Sequence, residues 1–320
     1  MDIRQYLAEE IAIDYRDAHV SRREALHRLA LLGLSSAAAS TLLAACGGDA
    51  TSATPSASAS GSAPAASSAA PSARAAVQSG APSGTPSAAP LPPSKPTEAI
   101  TFDGPKGVKL QGAWASADQP KAGILVIHEN KGLNDHTRQV AGRFAAAGYA
   151  ALAIDLLSEE GGTASLGDVA NATAALGKAD VERFVPDMRA GIDEIIKRSK
   201  VKKVGAIGFC FGGGMTWRLI ASKDERLAAA APFYGPLPDN ADFTGSKAAV
   251  LGVYAELDKR VNATREAAEE ALTKAALVHR MIVYRDADHA FFNDTGPRYN
   301  AAAASEAWTT VLDWFASHLA

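Results

Sequence analysis

Cys210 stands in Gly208-Phe209-Cys210-Phe211-Gly212-Gly213-Gly214, directly after an apolar run containing Val204, Ala206 and Ile207. A thiol with glycines two before and two after it fits the tip of a sharp strand-to-helix turn, where larger side chains would meet neighbouring backbone. A helix starting there aims its first N–H groups at the sulfur, which favours a thiolate and can hold an oxyanion. The competing reading makes Cys210 a small buried hydrophobe at a strand end. A thiol nucleophile also needs a base within hydrogen-bond reach, and the base needs a carboxylate to fix its tautomer. His289, in Asp286-Ala287-Asp288-His289-Ala290-Phe291, is the candidate base, and Asp258, in Glu256-Leu257-Asp258-Lys259, the candidate acid. Glu256 is the second choice of acid. Asp288 is a poor one, because adjacent residues rarely face each other. Glu129 ends a further apolar run in His128-Glu129-Asn130-Lys131-Gly132, and its plain reading is a surface carboxylate. The HExxH zinc pattern fails there, because position 132 is Gly. The two cysteines, Cys46 and Cys210, form no CxxC, so neither a cofactor nor a metal is expected.

The elements that must position these residues alternate. Strands are expected at Ile100–Asp103, Val108–Trp114, Gly123–His128, Ala150–Ile154, Lys203–Ile207, Leu227–Phe233, Ala248–Tyr254 and His279–Tyr284. Helices are expected at Asp135–Ala147, Ala179–Lys200, Met215–Ala221, Asn262–Ala276 and Ala301–Leu319. This alternation implies an α/β fold, a mostly parallel sheet covered by helices on both faces. Chemistry in such sheets lies beyond the carboxyl ends of the strands, where every candidate above falls. The stretch between the strands at 227–233 and 248–254 is too short for a helical lid, which argues against long-chain lipid substrates. Tyr234, Phe291 and Phe292 are expected to line a small apolar pocket, with core packing the alternative for each. The net charge of −3 gives no reason to expect nucleic acid.

Residues 97–320 carry this domain, and two segments precede it. Residues 1–46 read as an export signal. Arg22 and Arg23 precede a 17-residue apolar stretch, Leu29–Ala45, which is short and weakly hydrophobic for a membrane span. Leu43-Ala44-Ala45-Cys46 resembles a bacterial lipobox, which makes Cys46 a candidate for lipidation and the membrane a partner through that anchor. Residues 47–96 are nearly all Ala, Ser, Pro, Gly and Thr, with no aromatic residue and only Asp49, Arg74 and Lys95 charged; a disordered tether is expected. The chain is thus expected to be exported, lying at a membrane or in the periplasm.

The order nucleophile, acid, base and the glycine-framed turn resemble the nucleophile elbow of the α/β-hydrolases, with Cys in place of Ser. More closely, residues 97–320 resemble the dienelactone hydrolase family in Glu129 of HEN-KG, Cys210 of GFCFGG, Asp258 of ELDKRV and His289 of DHAFFND. The resemblance implies an α/β-hydrolase fold and a Cys210–Asp258–His289 triad with Glu129 beside the thiol. It also implies an oxyanion hole of the Asn130 and Phe211 N–H groups, and small esters or lactones as substrates. Where founding members carry an Arg soon after the catalytic His, this sequence has none before Arg298, which becomes a candidate pocket residue. Two other classes remain open: a thiol acyltransferase or peptidase on the same fold, and a non-catalytic surface binding lipoprotein.

Overall fold

The structure, a computed structural model, describes residues 2–46 and 90–320. Most of the expected tether, residues 47–89, lies outside the described residues. Its last part does not behave as a tether. Leu91 is buried, the Arg143 Nε donates to the Pro92 carbonyl at 2.9 Å, and the Lys95 N–H donates to the Gly142 carbonyl at 3.1 Å. The domain therefore begins near residue 90, because these backbone groups find partners on its surface.

Eight strands form one sheet: β1 Glu98–Asp103, β2 Lys109–Ser116, β3 Gly123–Ile127, β4 Ala150–Asp155, β5 Val204–Phe209, β6 Leu227–Phe233, β7 Ala249–Ala255 and β8 His279–Tyr284. Their order is β1-β2-β4-β3-β5-β6-β7-β8, antiparallel from β1 to β4 and parallel from there onward. β3, Gly-Ile-Leu-Val-Ile, is buried at every position, as a central parallel strand covered on both faces must be.

Ten helices accompany the sheet among the described residues: α1 Ile3–Arg16, α2 Arg22–Leu31, α3 Ser36–Cys46, α4 Asp135–Ala146, α5 Val169–Lys178, α6 Val181–Ser199, α7 Phe211–Ala221, α8 Lys259–Asn262, α9 Arg265–Lys274 and α10 Ala301–Leu319. α4 and α10 meet on one face through Phe144, whose ring centroid lies 4.8 Å from that of Trp308 and 5.8 Å from that of Phe315. α6 and α7 pack together on the other face, with Phe184 edge-on to Phe211 at 5.7 Å. α5 was not expected. Its run Ala170-Asn171-Ala172-Thr173-Ala174 has small side chains and little apolar contrast, so periodicity is weak, although Asp168 caps it through the Asn171 N–H at 2.8 Å. The helix expected over 262–276 is α9, with the short α8 just before it.

Residues 2–46 form a helical subdomain that packs on the rest. α1, α2 and α3 touch one another, and α1 and α2 pack on α5. Leu7, Ala25, Leu29 and Leu32 are fully buried, and Leu32 sits over Gly177, where a Cβ would press against it. The apolar stretch 29–45 is not one helix: α2 stops at Leu31, Gly33 turns the chain at φ +84°, and α3 starts at Ser36. Among the described residues no helix is long and apolar enough to cross a membrane. Arg22 and Arg23, by contrast, are exposed at the start of α2.

Asp187 of α6 is a buried carboxylate left unpaired. It is 1% exposed, and neither carboxylate oxygen has a hydrogen-bond partner among the described residues. Burial, with Glu159 nearby, pushes its pKa up to about 6. A carboxyl whose folded pKa is raised costs stability only when ionised. The cost is absent below its unfolded pKa of about 4, grows up to about 6 and is complete above. Asp187→Asn is expected to stabilise the chain by about 1–2 kcal/mol at pH 7 and by nothing at pH 4, read as a difference in thermal midpoints.

Candidate active site

Cys210 joins β5 to α7 with φ 57° and ψ −119°, a conformation that L-residues rarely adopt. Three glycines make the turn possible. A Cβ at Gly208 would run into the Gly212 carbonyl, at Gly212 into the Ile127 and His128 carbonyls, and at Gly213 into the Phe233 carbonyl. Gly214 has no such constraint, its nearest would-be neighbour being Pro236 Cδ at 3.5 Å. α7 begins at Phe211, earlier than the sequence suggested, because the glycines are its first turn. The Phe211 N–H therefore lies among the N-terminal donors that a helix cannot satisfy from within.

His289 follows β8, and Asp258 follows β7 as the cap of α8, accepting the Val261 N–H at 3.1 Å. The His289 Nδ1 bonds the Asp258 Oδ2 at 2.5 Å, and both residues are buried. Glu256 is not at the site: its Oε2 accepts the Asp286 N–H at 2.9 Å on the surface. Asp288 accepts its neighbour's N–H at 2.7 Å and faces Arg298. Burial works against a charged His289, but the Asp258 carboxylate and the Cys210 sulfur outweigh it and raise its pKa to about 10. The imidazole is thus held protonated at neutral pH, next to the sulfur.

Glu129 is 3% exposed, not the surface carboxylate of its plain reading. Its Oε2 accepts from Asn293 Nδ2 at 2.7 Å and its Oε1 from the Tyr234 hydroxyl at 3.5 Å. Tyr234 packs its ring 5.2 Å from that of His289. Phe291 and Phe292, expected on a pocket wall, are fully buried. Phe292 stacks on Phe209 at 5.3 Å, and Phe291 lies 5.5 Å from Tyr234, so they form the floor that holds the loop after β8. Asn130 lies in the loop after β3, its carbonyl accepting from the Thr173 hydroxyl of α5 at 2.9 Å. His128 is structural. Its Nδ1 bonds the Glu129 carbonyl at 2.7 Å, its Nε2 accepts the Leu156 N–H at 3.1 Å, and burial lowers its pKa, so it stays neutral.

Sequence reasoning missed one whole side of the site. α1 lies across it. The Tyr6 hydroxyl sits 3.2 Å from the Cys210 Sγ, with Tyr6 2% exposed. The Glu10 Oε2 lies 3.5 Å from the His289 Nε2, and its other oxygen pairs with Arg260. The Arg260 guanidinium also stacks over the Tyr6 ring at 4.2 Å. Arg298 is not in a pocket: it pairs with Asp14 and Asp17 of the same N-terminal segment, each at 3.0 Å. Ile3, Tyr6, Leu7 and Ile11 have helical spacing, but nothing in that spacing names a partner. Glu10, Cys210 and His289 each place a donor atom within 4.8 Å of the others. The Glu10 carboxylate is already committed to Arg260, and a dication there would meet that guanidinium.

An eight-stranded sheet with a strained turn after β5 and polar residues gathered beyond its carboxyl edge defines the chain as an α/β-hydrolase. Residues 110–319 match the dienelactone hydrolase family, to which the chain belongs, and it is a hydrolase. Two relatives, both named "Putative carboxymethylenebutenolidase", come from Escherichia coli O157:H7 and Salmonella typhi. The first is 32% identical over 62% of this chain and 78% of its own length, the second 31% identical over 71% and 93%. The crystal structure of "Putative Dienelactone Hydrolase from Klebsiella pneumoniae subsp. pneumoniae MGH 78578" superposes with a TM-score of 0.60 at 26% identity, covering 70% of this chain and all of that one.

Proposed function

We propose that the chain hydrolyses small esters or lactones through a Cys210–His289–Asp258 triad and an acyl-thioester intermediate. The observation that carries this reading is the Cys210 elbow beside a His289 already bonded to Asp258. His289 takes the thiol proton and holds it, and Asp258 keeps the ring oriented. The thiolate attacks the carbonyl carbon, and the N–H groups of Phe211 and Asn130 hold the oxyanion. His289 returns the proton to the departing alkoxide and then draws one from the water that splits the thioester. Glu129, held by Asn293 and Tyr234, is the carboxylate that disfavours a thiolate until substrate arrives. Residues 1–46 serve as an export leader read through the exposed Arg22 and Arg23, with Cys46 the site of lipidation and membrane anchorage.

The test is turnover of short-chain aryl esters and small enol-lactones, measured on the chain and on Tyr6→Ala, which uncovers the sulfur. Hydrolysis abolished by iodoacetamide, with the label on Cys210, is expected. A chain whose Cys210 alkylates readily at neutral pH yet hydrolyses none of these would overturn the reading.

A further inference from the structure

We propose that α1 is a built-in inhibitor, seated on the nucleophile through Tyr6 and Glu10, and that the chain takes no substrate until this helix is displaced or removed. The proposal rests on the hydrolase reading above only for what is inhibited. Three observations support it. First, the nucleophile has no open face. Cys210 is 2% exposed and His289 4%, and the adjoining pocket, lined by Ile3, Tyr6, Phe211, Met215, Pro236 and Leu237, has room for about one water molecule. An ester carbonyl cannot approach the Sγ without taking the place of the Tyr6 hydroxyl.

Second, α1 engages the reacting groups themselves. The Tyr6 phenol is kept neutral by burial and shares a hydrogen bond with the sulfur. Glu10 sits against the His289 Nε2, the nitrogen that must exchange protons with the sulfur and the leaving group. Third, the seat is built for this helix. Arg260 is held between Glu10 and the Tyr6 ring, Arg298 between Asp14 and Asp17, and Leu7, Ile11 and Ala12 are buried beneath. α1 also lies wholly within the segment that cleavage before Cys46 would take away, so the same cut would release the thiol.

The experiment uses the full chain in a Cys46→Ser background, so that every alkylation reports Cys210. The rate of iodoacetamide labelling and the hydrolysis of aryl acetates are measured for the parent, Tyr6→Ala and Glu10→Lys. Glu10→Lys places a cation against Arg260 and His289 and expels α1 without touching the domain core. Both variants are expected to label at least about tenfold faster than the parent, because α1 no longer closes over the sulfur. Ester turnover should rise in parallel, while thermal melting of the domain stays cooperative. Labelling of the parent as fast as the variants would overturn the proposal. So would loss in the variants of a turnover that the parent possesses, because α1 would then belong to the working site. Fast labelling of the variants without hydrolysis in any chain would leave the inhibitor standing and sink the hydrolase reading instead.

Discussion

Cys210→Ala, made in the chain that carries Glu10→Lys, is expected to lower kcat/KM for aryl acetates by about 10⁴-fold or more. No other group near the turn can take over. Tyr6 and Tyr234 are phenols whose pKa burial lifts well above its usual value, so neither offers an anionic nucleophile at neutral pH. The substitution removes one sulfur atom and leaves the φ of 57° to a residue no larger than Cys, so the fold should lose only about 1 kcal/mol. Cys210→Ser is the sharper comparison. A hydroxyl gives up its proton far less readily than a thiol, so the anion–imidazolium pair open to Cys210 and His289 is not open to a serine. Serine should therefore recover little of the loss. A serine variant within tenfold of its parent would show that His289 works as a neutral base and that the thiol is dispensable.

Gly212→Ala is expected to unfold or severely destabilise the domain, by more than about 4 kcal/mol. The new Cβ would stand 2.5 Å from the His128 carbonyl oxygen and closer still to that of Ile127. Both lie at or just past the end of β3, a strand buried at every position, so neither can retreat. Gly214→Ala is the control two residues on. There the nearest atom is 3.5 Å away, and replacing a helical Gly should add about 0.5–1 kcal/mol. Thermal midpoints of the two variants should move in opposite directions. A Gly212→Ala chain that melts like its parent would mean that β3 and the elbow are farther apart than they stand here.

That pair of glycines shows why the turn was legible in the sequence. The requirement at 208, 212 and 213 is a backbone crowding that only one residue type relieves, so it leaves a fixed spacing around Cys210. Asp258 and His289 were legible for a related reason, since each directly follows a strand whose apolar run is plain. What the sequence could not show was contact between distant polar residues. Asn293 holds Glu129 across 164 positions, and Tyr6 reaches Cys210 across 204. Neither has a local signature, because an Asn in a loop or a Tyr on an amphipathic helix reads the same whatever it touches. α5 escaped notice for the opposite reason: its local signal was faint and its place is set by what packs on it.

The seating of α1–α3 also changes how the first residues of the chain should be handled. Leaders are commonly treated as spare sequence, open to substitution and convenient for attaching affinity tags. Here Tyr6, Leu7, Ile11, Leu29 and Leu32 are as enclosed as the residues of the central strands, so a substitution library should find them as intolerant as a core. Ile3 borders the same recess as Phe211, so a substitution at that position reshapes the wall of that recess.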